Sequence, residues 1–147
     1  MEYKHTQVGT AIIIALCAAL VFFLYPPLIT GMFPPPMMVI PAVLAAILIL
    51  FYSLRVTIKN DCLTCSFGIG LIRKKILLWD IAQAKTVENP WYAGWGIHLM
   101  PGKCLIWNVS GFRAVELLLK NGNRFRIGTD EPEALVHAIE VNMETGK

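Results

Sequence analysis

Apolar residues run unbroken through two segments in the first third of the chain and alternate with polar residues afterwards. The segments 8–25 and 37–53 contain no charged residue. At 1.5 Å per residue, helices of that length approach the roughly 30 Å thickness of a bilayer's hydrocarbon core. The pattern therefore predicts two membrane-spanning helices in a first domain, residues 1–53.

The connection between these segments, PPLITGMFPPP at residues 26–36, is rich in proline and contains one glycine. Proline removes a backbone donor and clashes with the preceding helical turn. We therefore expect both helices to stop outside this connection, which forms a tight exposed turn and makes the pair a transmembrane helical hairpin. A cleaved signal peptide at 8–25 is the alternative, but no A-x-A cleavage site follows it.

Basic residues flank the two predicted spans and are missing between them. Lys4 precedes the first span, and Arg55 and Lys59 follow the second. Since basic residues stay on the cytoplasmic side, both termini are predicted to be cytoplasmic in a multi-pass inner-membrane protein. Alanines recur at every fourth position in each span, at 11, 15 and 19 and at 42 and 46. Such stripes favour packing within the hairpin, with a homodimer seam as the alternative.

Residues 54–147 have the length of one domain and a strand-like pattern. Val56 and Ile58 share a face, Leu63, Cys65 and Phe67 share the next one, and a turn at residues 60–61 separates them. Further strands are predicted at 72–78, 81–87, 95–100, 104–109, 112–120 and 124–128, giving about seven antiparallel strands. An amphipathic helix closes the chain, capped by Thr129 or Asp130, with a buried stripe of Leu135, Val136, Ile139 and Met143.

The segments LIRKKILLWDIA, NPWYAGWGIHL and NVSGFRAVELLLKNGNRFRIGTDEPEAL carry a family resemblance. They resemble a bacterial pleckstrin-homology (PH)-like domain of the kind attached to short membrane hairpins. The resemblance implies a bent β-sandwich or partial barrel covered by a C-terminal helix. It assigns no ligand and no ligand-binding residue.

Composition narrows the classes of function. The net charge of +3 and the pI near 8.7 fall short of the basic surface typical of nucleic-acid binding. Cys62, Cys65 and Cys104 are an odd set, which argues against a disulfide framework and fits a reducing compartment. Cys62 and Cys65 have metal-like spacing, but residues three apart in a strand face opposite sides, so buried free thiols are favoured.

No catalytic constellation stands out. His98 and His137 are isolated, and Gly68-Ile69-Gly70 lacks the remaining residues of a nucleotide-binding loop, so it is read as a turn. We therefore expect a protein that is not an enzyme and takes no cofactor or metal.

Two clusters of basic residues are candidate lipid- or partner-binding sites. Arg73, Lys74 and Lys75 form the densest run, and each such charge near an anionic leaflet contributes about 1 kcal/mol. The favoured alternative is a solvated strand edge that prevents unwanted sheet pairing.

Arg113, Arg124 and Arg126 come together if the hairpin at Asn121-Gly122 forms, and they can make a phosphate or carboxylate site. Ordinary ion pairing is favoured, because Glu116 and the acids at 130, 131 and 133 are equally near in sequence.

Aromatic residues gather at 91–107. Trp95 and Trp107 are predicted to be core residues, whereas Trp91 and Tyr92 are left open between the core and the headgroup layer.

These patterns indicate a non-enzymatic, membrane-anchored binding or scaffolding module whose PH-like domain contacts anionic lipid headgroups or a partner protein. The alternative is an accessory subunit of a larger membrane complex, with the transmembrane hairpin making the specific contacts.

Overall fold

The chain begins with a strand that the sequence pattern did not predict. The computed structural model describes residues 2–145; Met1, Gly146 and Lys147, the outer ends of the two predicted domains, lie outside the described residues. Strand β1 (Tyr3–Val8) pairs antiparallel with β2 (Ser53–Lys59). Helices α1 (Thr10–Thr30) and α2 (Pro35–Phe51) lie between these two strands in sequence and pack against each other.

The prediction that α1 stops before its prolines is wrong. The helix passes through Pro26 and Pro27 and ends at Gly31, whose left-handed backbone lets its N–H donate to Pro27 O at 2.9 Å. The Thr30 hydroxyl donates to Pro26 O at 3.0 Å. Although the two prolines lack donors, their own carbonyls are therefore capped, and the last turn is kept.

Prolines also begin the second helix, two residues earlier than predicted. Pro34 is the N-cap of α2, and Pro35 and Pro36 occupy its first turn. A proline is tolerated there because the first amides of a helix have no intrahelical partner. The connection between the helices consequently shrinks to residues 31–34.

Among residues 2–145, only α1 is long and apolar enough to cross a membrane by length and composition. The most apolar 18-residue stretch of α1 has a mean hydropathy of 2.6, and 11% of that stretch is buried in the protein. Helix α2 is equally apolar but has 17 residues, or about 25 Å of length. The predicted pair of full-length spans therefore holds for the first helix alone.

Strands β1 and β2 and the strands after them form two open sheets. The first has the order β1-β2-β3-β4, with β3 at Cys62–Phe67 and β4 at Arg73–Leu77. The second has the order β5-β8-β9-β7-β6, and its members are β5 (Ile81–Glu88), β6 (Gly96–Met100), β7 (Cys104–Asn108), β8 (Arg113–Leu119) and β9 (Arg124–Gly128).

The prediction of a mainly-β domain with a C-terminal helix is confirmed, with three corrections. The described residues contain nine strands instead of about seven, and β1 is the strand that no predicted range covers. Strands β7 and β9 pair in parallel, so the sheets are not entirely antiparallel. Neither sheet closes on itself, so these residues form no β-barrel.

The main core lies between the two sheets and helix α3 (Pro132–Thr145). Phe67 from the first sheet stacks on Trp107 from the second, with ring centroids 4.8 Å apart. The predicted stripe on α3 is confirmed, since Leu135 and Ile139 are fully buried and the other two positions pack against the core. The Thr129 hydroxyl accepts the N–H of Glu131 at 3.2 Å, as expected of a cap residue.

The helices join the β domain at one end of its strands, which we call the helix-side end. The N–H of Gly9 donates to Tyr52 O at 2.7 Å, so the start of α1 lies against the end of α2. Ser110, after β7, contacts the hydroxyl of Thr10 at 3.1 Å and accepts a hydrogen bond from Gln7. A Cβ on Gly68 would lie 2.4 Å from Ile49 O, so the turn after β3 also abuts α2.

Candidate binding groove

The basic run on β4 does not form one patch. Strand β4 is an edge of its sheet and pairs only with β3, as the solvated-edge interpretation requires. Arg73 and Lys75 are exposed on the outer face, whereas Lys74 is half-buried on the opposite face. The Nζ of Lys74 lies 5.5 Å from the ring centroid of Phe125, where ammonium and ring attract each other. The three charges therefore do not add up at one surface.

Two of the predicted arginines are engaged in ion pairs, as favoured from the sequence. The side chain of Glu116 is 3% exposed, and its two oxygens lie 2.7 Å from Arg126 Nε and 3.2 Å from Lys85 Nζ. Arg113 pairs with Glu133 at the surface. Burial by itself would raise the pKa of Glu116, but the hydrogen bonds from Arg126 and Lys85 prevail and lower that pKa.

The third arginine, Arg124, contributes to a groove instead. With Lys74 and Lys103 it surrounds an apolar depression of about 370 Å³, which we call the basic groove. The groove is lined by Lys74, Leu99, Met100, Lys103, Leu105, Leu119, Asn123, Arg124 and Phe125. Its arrangement offers cations at the rim and aliphatic or aromatic carbon at the floor.

Lys103 was missed by the sequence reasoning. It follows Pro101-Gly102 in the β6–β7 turn and has a left-handed φ of 58°. Its carbonyl accepts the N–H of Arg124 at 3.1 Å, which ties the two cation-bearing residues together through the backbone. A non-glycine residue in this conformation is uncommon, so the Pro101-Gly102 turn was the one local signal at this position. The proximity of Lys103 to Arg124 follows from the parallel pairing of β7 with β9, which the local sequence does not reveal.

A second depression continues the positive surface. It has about 340 Å³, shares Lys74 and Leu119 with the basic groove, and adds Lys75 and Lys120 together with one acid, Asp80. Throughout residues 2–145, none of the lysines and arginines lining these two depressions forms a salt bridge. Their charges are available to an anionic ligand.

The basic groove lies at the far end of the strands from the helices. Arg124 pairs with Cys104 at the start of β7, and β7 runs from there to Asn108, next to the Ser110 contact with α1. Four residue steps along a strand correspond to about 13 Å. The groove is therefore displaced by about that distance from the helix-side end.

A third cavity, beside α3, has no such charge preference. It encloses about 450 Å³ between apolar residues including Trp79 and Met143, with Asp61 and Lys120 as its charged members. Opposite charges in one cavity do not select for a ligand of either sign.

The thiols are placed as structural groups. Cys65 is buried and Cys62 half-buried on opposite faces of β3, as predicted from the strand period. Burial raises the pKa of the Cys65 and Cys104 thiols, which keeps them protonated and poorly nucleophilic. In the described part of the chain, no three His, Cys, Asp or Glu side chains converge as a metal site.

The tryptophans divide differently from the prediction. Trp107 is a core residue, as expected, but Trp95 is 41% exposed, so its assignment to the core is wrong. Trp95 lies in the loop before β6, with a glycine on each side, and is not part of the core. Trp91 and Tyr92, which were left open, are strongly exposed.

Comparison with known proteins adds no assignment. No protein-family model and no curated protein matches the chain. Function is therefore inferred from the geometry and chemistry of the basic groove.

Proposed function

We propose that this protein is a non-enzymatic binding module anchored in a bacterial cytoplasmic membrane, and that its basic groove holds an acidic, partly apolar segment of a partner protein. One observation carries the proposal: Lys74, Lys103 and Arg124 surround an apolar floor without a carboxylate to neutralise them. Cations at the rim of an apolar cleft favour a ligand that combines both characters.

The membrane hairpin belongs to this proposal, with both ends of the chain in the cytoplasm. If α1 crosses a bilayer, α2 has to return through it, because Gly9 and Tyr52 are hydrogen-bonded to each other. The 17 residues of α2 are at the lower limit for a span. Pairing of β1 with β2 argues against signal-peptide cleavage, since cleavage would remove β1 from its sheet.

The PH-like fold is likewise part of the proposal. Two stacked sheets with a C-terminal helix support it. The additional strand β1 and the parallel pairing of β7 with β9 depart from the seven-stranded antiparallel arrangement that the resemblance implies.

Position favours a protein ligand over the headgroups of the protein's own membrane. The basic groove is about 13 Å along the strands from the helix-side end, beyond direct reach of the bilayer that holds the helices. Its lining includes Leu99, which is 77% exposed, and the half-buried Leu105 and Leu119. An acidic peptide with an apolar side chain would neutralise the rim and cover that carbon.

The proposal is tested with the full-length chain in nanodiscs of neutral lipid. A fluorescent peptide of alternating glutamate and leucine is titrated, and anisotropy measures its binding. We expect binding that weakens with salt and is reduced by Lys74→Gln, Lys103→Gly and Arg124→Gln, whereas Lys4→Gln on β1 leaves it unchanged. Lys103→Gly is the sharpest variant, because glycine suits the left-handed φ there, so a loss of binding does not follow from a damaged fold.

Equal binding by all four variants would overturn the groove assignment. Binding of a short-chain phosphatidylserine at the groove without binding of the peptide would replace the protein ligand by an anionic lipid.

An accessory subunit of a larger membrane complex remains the second candidate, and one observation favours it. An apolar cleft of about 570 Å³ lies between the helices, lined by Ala18, Val21, Phe22, Phe23, Tyr25, Pro26, Pro27, Met37 and Ile40. The sequence had favoured packing of the alanine stripes inside the hairpin, but Ala15 and Ala46 are exposed. Photo-crosslinkers at 15 and 46 that capture the same protein partner, while one at Ile14 does not, would support a specific helix contact.

A further inference from the structure

Large apolar side chains are concentrated on three loops of the β domain, at residues 68–72, 89–95 and 109–112. The exposed fractions reach 81% for Trp91, 71% for Leu71, 68% for Tyr92, 60% for Ile69 and 50% for Phe112. Exposed single apolar residues are ordinary, but a cluster on neighbouring loops indicates a contact surface. We call these three loops the apolar rim.

Hydrogen bonds place the three loops at the same end of the domain. The N–H of Asn89 donates to Phe112 O at 2.6 Å, which joins the second loop to the third. Ser110 in the third loop contacts Thr10 at the start of α1. Gly68 in the first loop fits against the carbonyls that end α2. The apolar rim therefore surrounds the point where the helices leave the domain.

The three loops also share the absence of charged side chains. None of the three contains a charged residue, and the first charges appear where the strands begin or end, at Arg73, Glu88 and Arg113. Arg73 forms no salt bridge in the described part of the chain. An uncharged aromatic surface bordered by two arginines and one glutamate suits the interface of a bilayer, since tryptophan and tyrosine partition there and arginine reaches phosphate.

We propose that the apolar rim inserts into the interfacial layer of the same membrane that the helices enter, so that the β domain lies directly on the bilayer. This inference rests on the proposed membrane anchoring and deepens it. The helices determine the occupant: a surface that encircles two membrane-embedded helices at their point of exit has to face lipid unless another protein displaces it. The insertion also orients the domain, because it turns the basic groove away from the membrane.

The test uses single cysteines in the full-length chain, in a background carrying Cys17→Ala and Cys62→Ala. Leu71→Cys, Tyr92→Cys and Phe112→Cys are labelled with an environment-sensitive fluorophore after reconstitution into phosphatidylcholine vesicles. Lipids carrying a nitroxide near the headgroup or deep in the acyl chain serve as quenchers. Leu99→Cys and Trp79→Cys, which are equally exposed but lie at the far end, are the matched controls. Val21→Cys, inside α1, reports on the anchor itself.

We expect loss of fluorescence at positions 71, 92 and 112 with the shallow quencher, less loss with the deep one, and none at 99 and 79. No quenching at the rim combined with deep quenching at 21 would overturn the inference while leaving the anchor intact. No quenching at 21 would overturn the membrane proposal as well. No quenching at the rim, combined with a fluorophore emission that shifts to the red when the protein is diluted in lipid, would assign the surface to a second copy instead.

Discussion

Glu116 is a buried residue whose ionisation makes the free energy of unfolding depend on pH. Its carboxylate is held by Arg126 and Lys85 in the middle of the second sheet. We expect Glu116→Gln to lower the free energy of unfolding by about 2 kcal/mol, because the substitution removes charged hydrogen bonds while both cations keep partial access to water. Denaturant unfolding followed by tryptophan fluorescence in detergent measures this loss.

The sign of the pH effect follows from the lowered pKa of Glu116. The unfolded chain takes up the proton first, so the stabilisation is complete above the ordinary value of 4.5 and declines as the pH falls below it. The difference between wild type and Glu116→Gln should therefore be constant near neutrality and shrink in acid. Glu133→Gln, which breaks an exposed pair with Arg113, is the control and should change stability by less than about 1 kcal/mol. A larger effect from Glu133→Gln would contradict the burial argument.

Gly68 and Gly70 separate two reasons for a glycine within one turn. Both have positive φ, 45° and 88°, but only at Gly68 would a Cβ meet backbone, at 2.4 Å from Ile49 O. Gly70→Ala should cost about 1 kcal/mol from its dihedral angle alone. Gly68→Ala should cost about 3 kcal/mol, although its φ is the easier one for alanine, because the turn has to move away from α2. Comparable thermal stability for the two variants would show that the turn and α2 do not touch.

At the level of elements, β1 is the piece that joins the N-terminus to the β domain. It supplies a full antiparallel ladder to β2, and Gln7 and His5 add contacts to Ser110 and Asp130. Deleting residues 2–7 should lower stability by several kcal/mol, at about 1 kcal/mol for each lost hydrogen bond. It should also expose the β2 edge to aggregation. Limited proteolysis in membranes measures the effect.

The control for this deletion is the double variant Lys4→Ala and Thr6→Ala, since both side chains point outward. It should behave like wild type. A deletion variant that resists protease as well as wild type would mean that β1 is dispensable. By the same reasoning, a fragment that begins at residue 54 lacks a structural strand and is a poor substitute for the whole chain.

The elements differ in how far the sequence could predict them. Strands with strict alternation and clear turn residues, such as β2 and β3 around Asn60-Asp61, were located almost to the residue. Strand β1 was missed because Tyr3–Val8 is mostly polar and, apart from its ends, resembles a tail; its burial comes from β2, which is distant in sequence. The passage of α1 through Pro26 was missed because the last turn is kept by Gly31 and Thr30, which donate to the carbonyls of Pro27 and Pro26.

Some residues of the candidate site were predicted from the sequence, but their arrangement was not, because it depends on contacts between residues distant in sequence. Lys74 and Arg124 belonged to conspicuous basic clusters, but those clusters separate in the structure: their neighbours face other directions or form ion pairs. Lys103 joins them through the parallel pairing of β7 with β9, a long-range contact that no local pattern reveals. Charge density along the chain therefore located the residues but not the surface they share.

For the whole molecule, the hydrogen bond from Gly9 to Tyr52 makes a prediction about topology. Since it joins the outer ends of α1 and α2, the residues before α1 and after α2 have to lie on one side of any membrane that the helices cross. The connection at 31–34 has to lie on the other side if both helices span. The basic residues that flank the helices, Lys4, Arg55 and Lys59, predict that this side is the cytoplasmic one.

This topology is measured by labelling single cysteines with a membrane-impermeant maleimide, again without Cys17 and Cys62. Met32→Cys, which is 71% exposed in the connection, should react in intact cells. Glu2→Cys and Glu144→Cys should react only after permeabilisation, and both to the same extent. Different behaviour of positions 2 and 144 would contradict the β1–β2 pairing, and equal labelling of all three in intact cells would contradict a crossing. Reaction of 2 and 144 without 32 would keep the hairpin and reverse it, because the sheet ties the two ends together whichever way the helices insert.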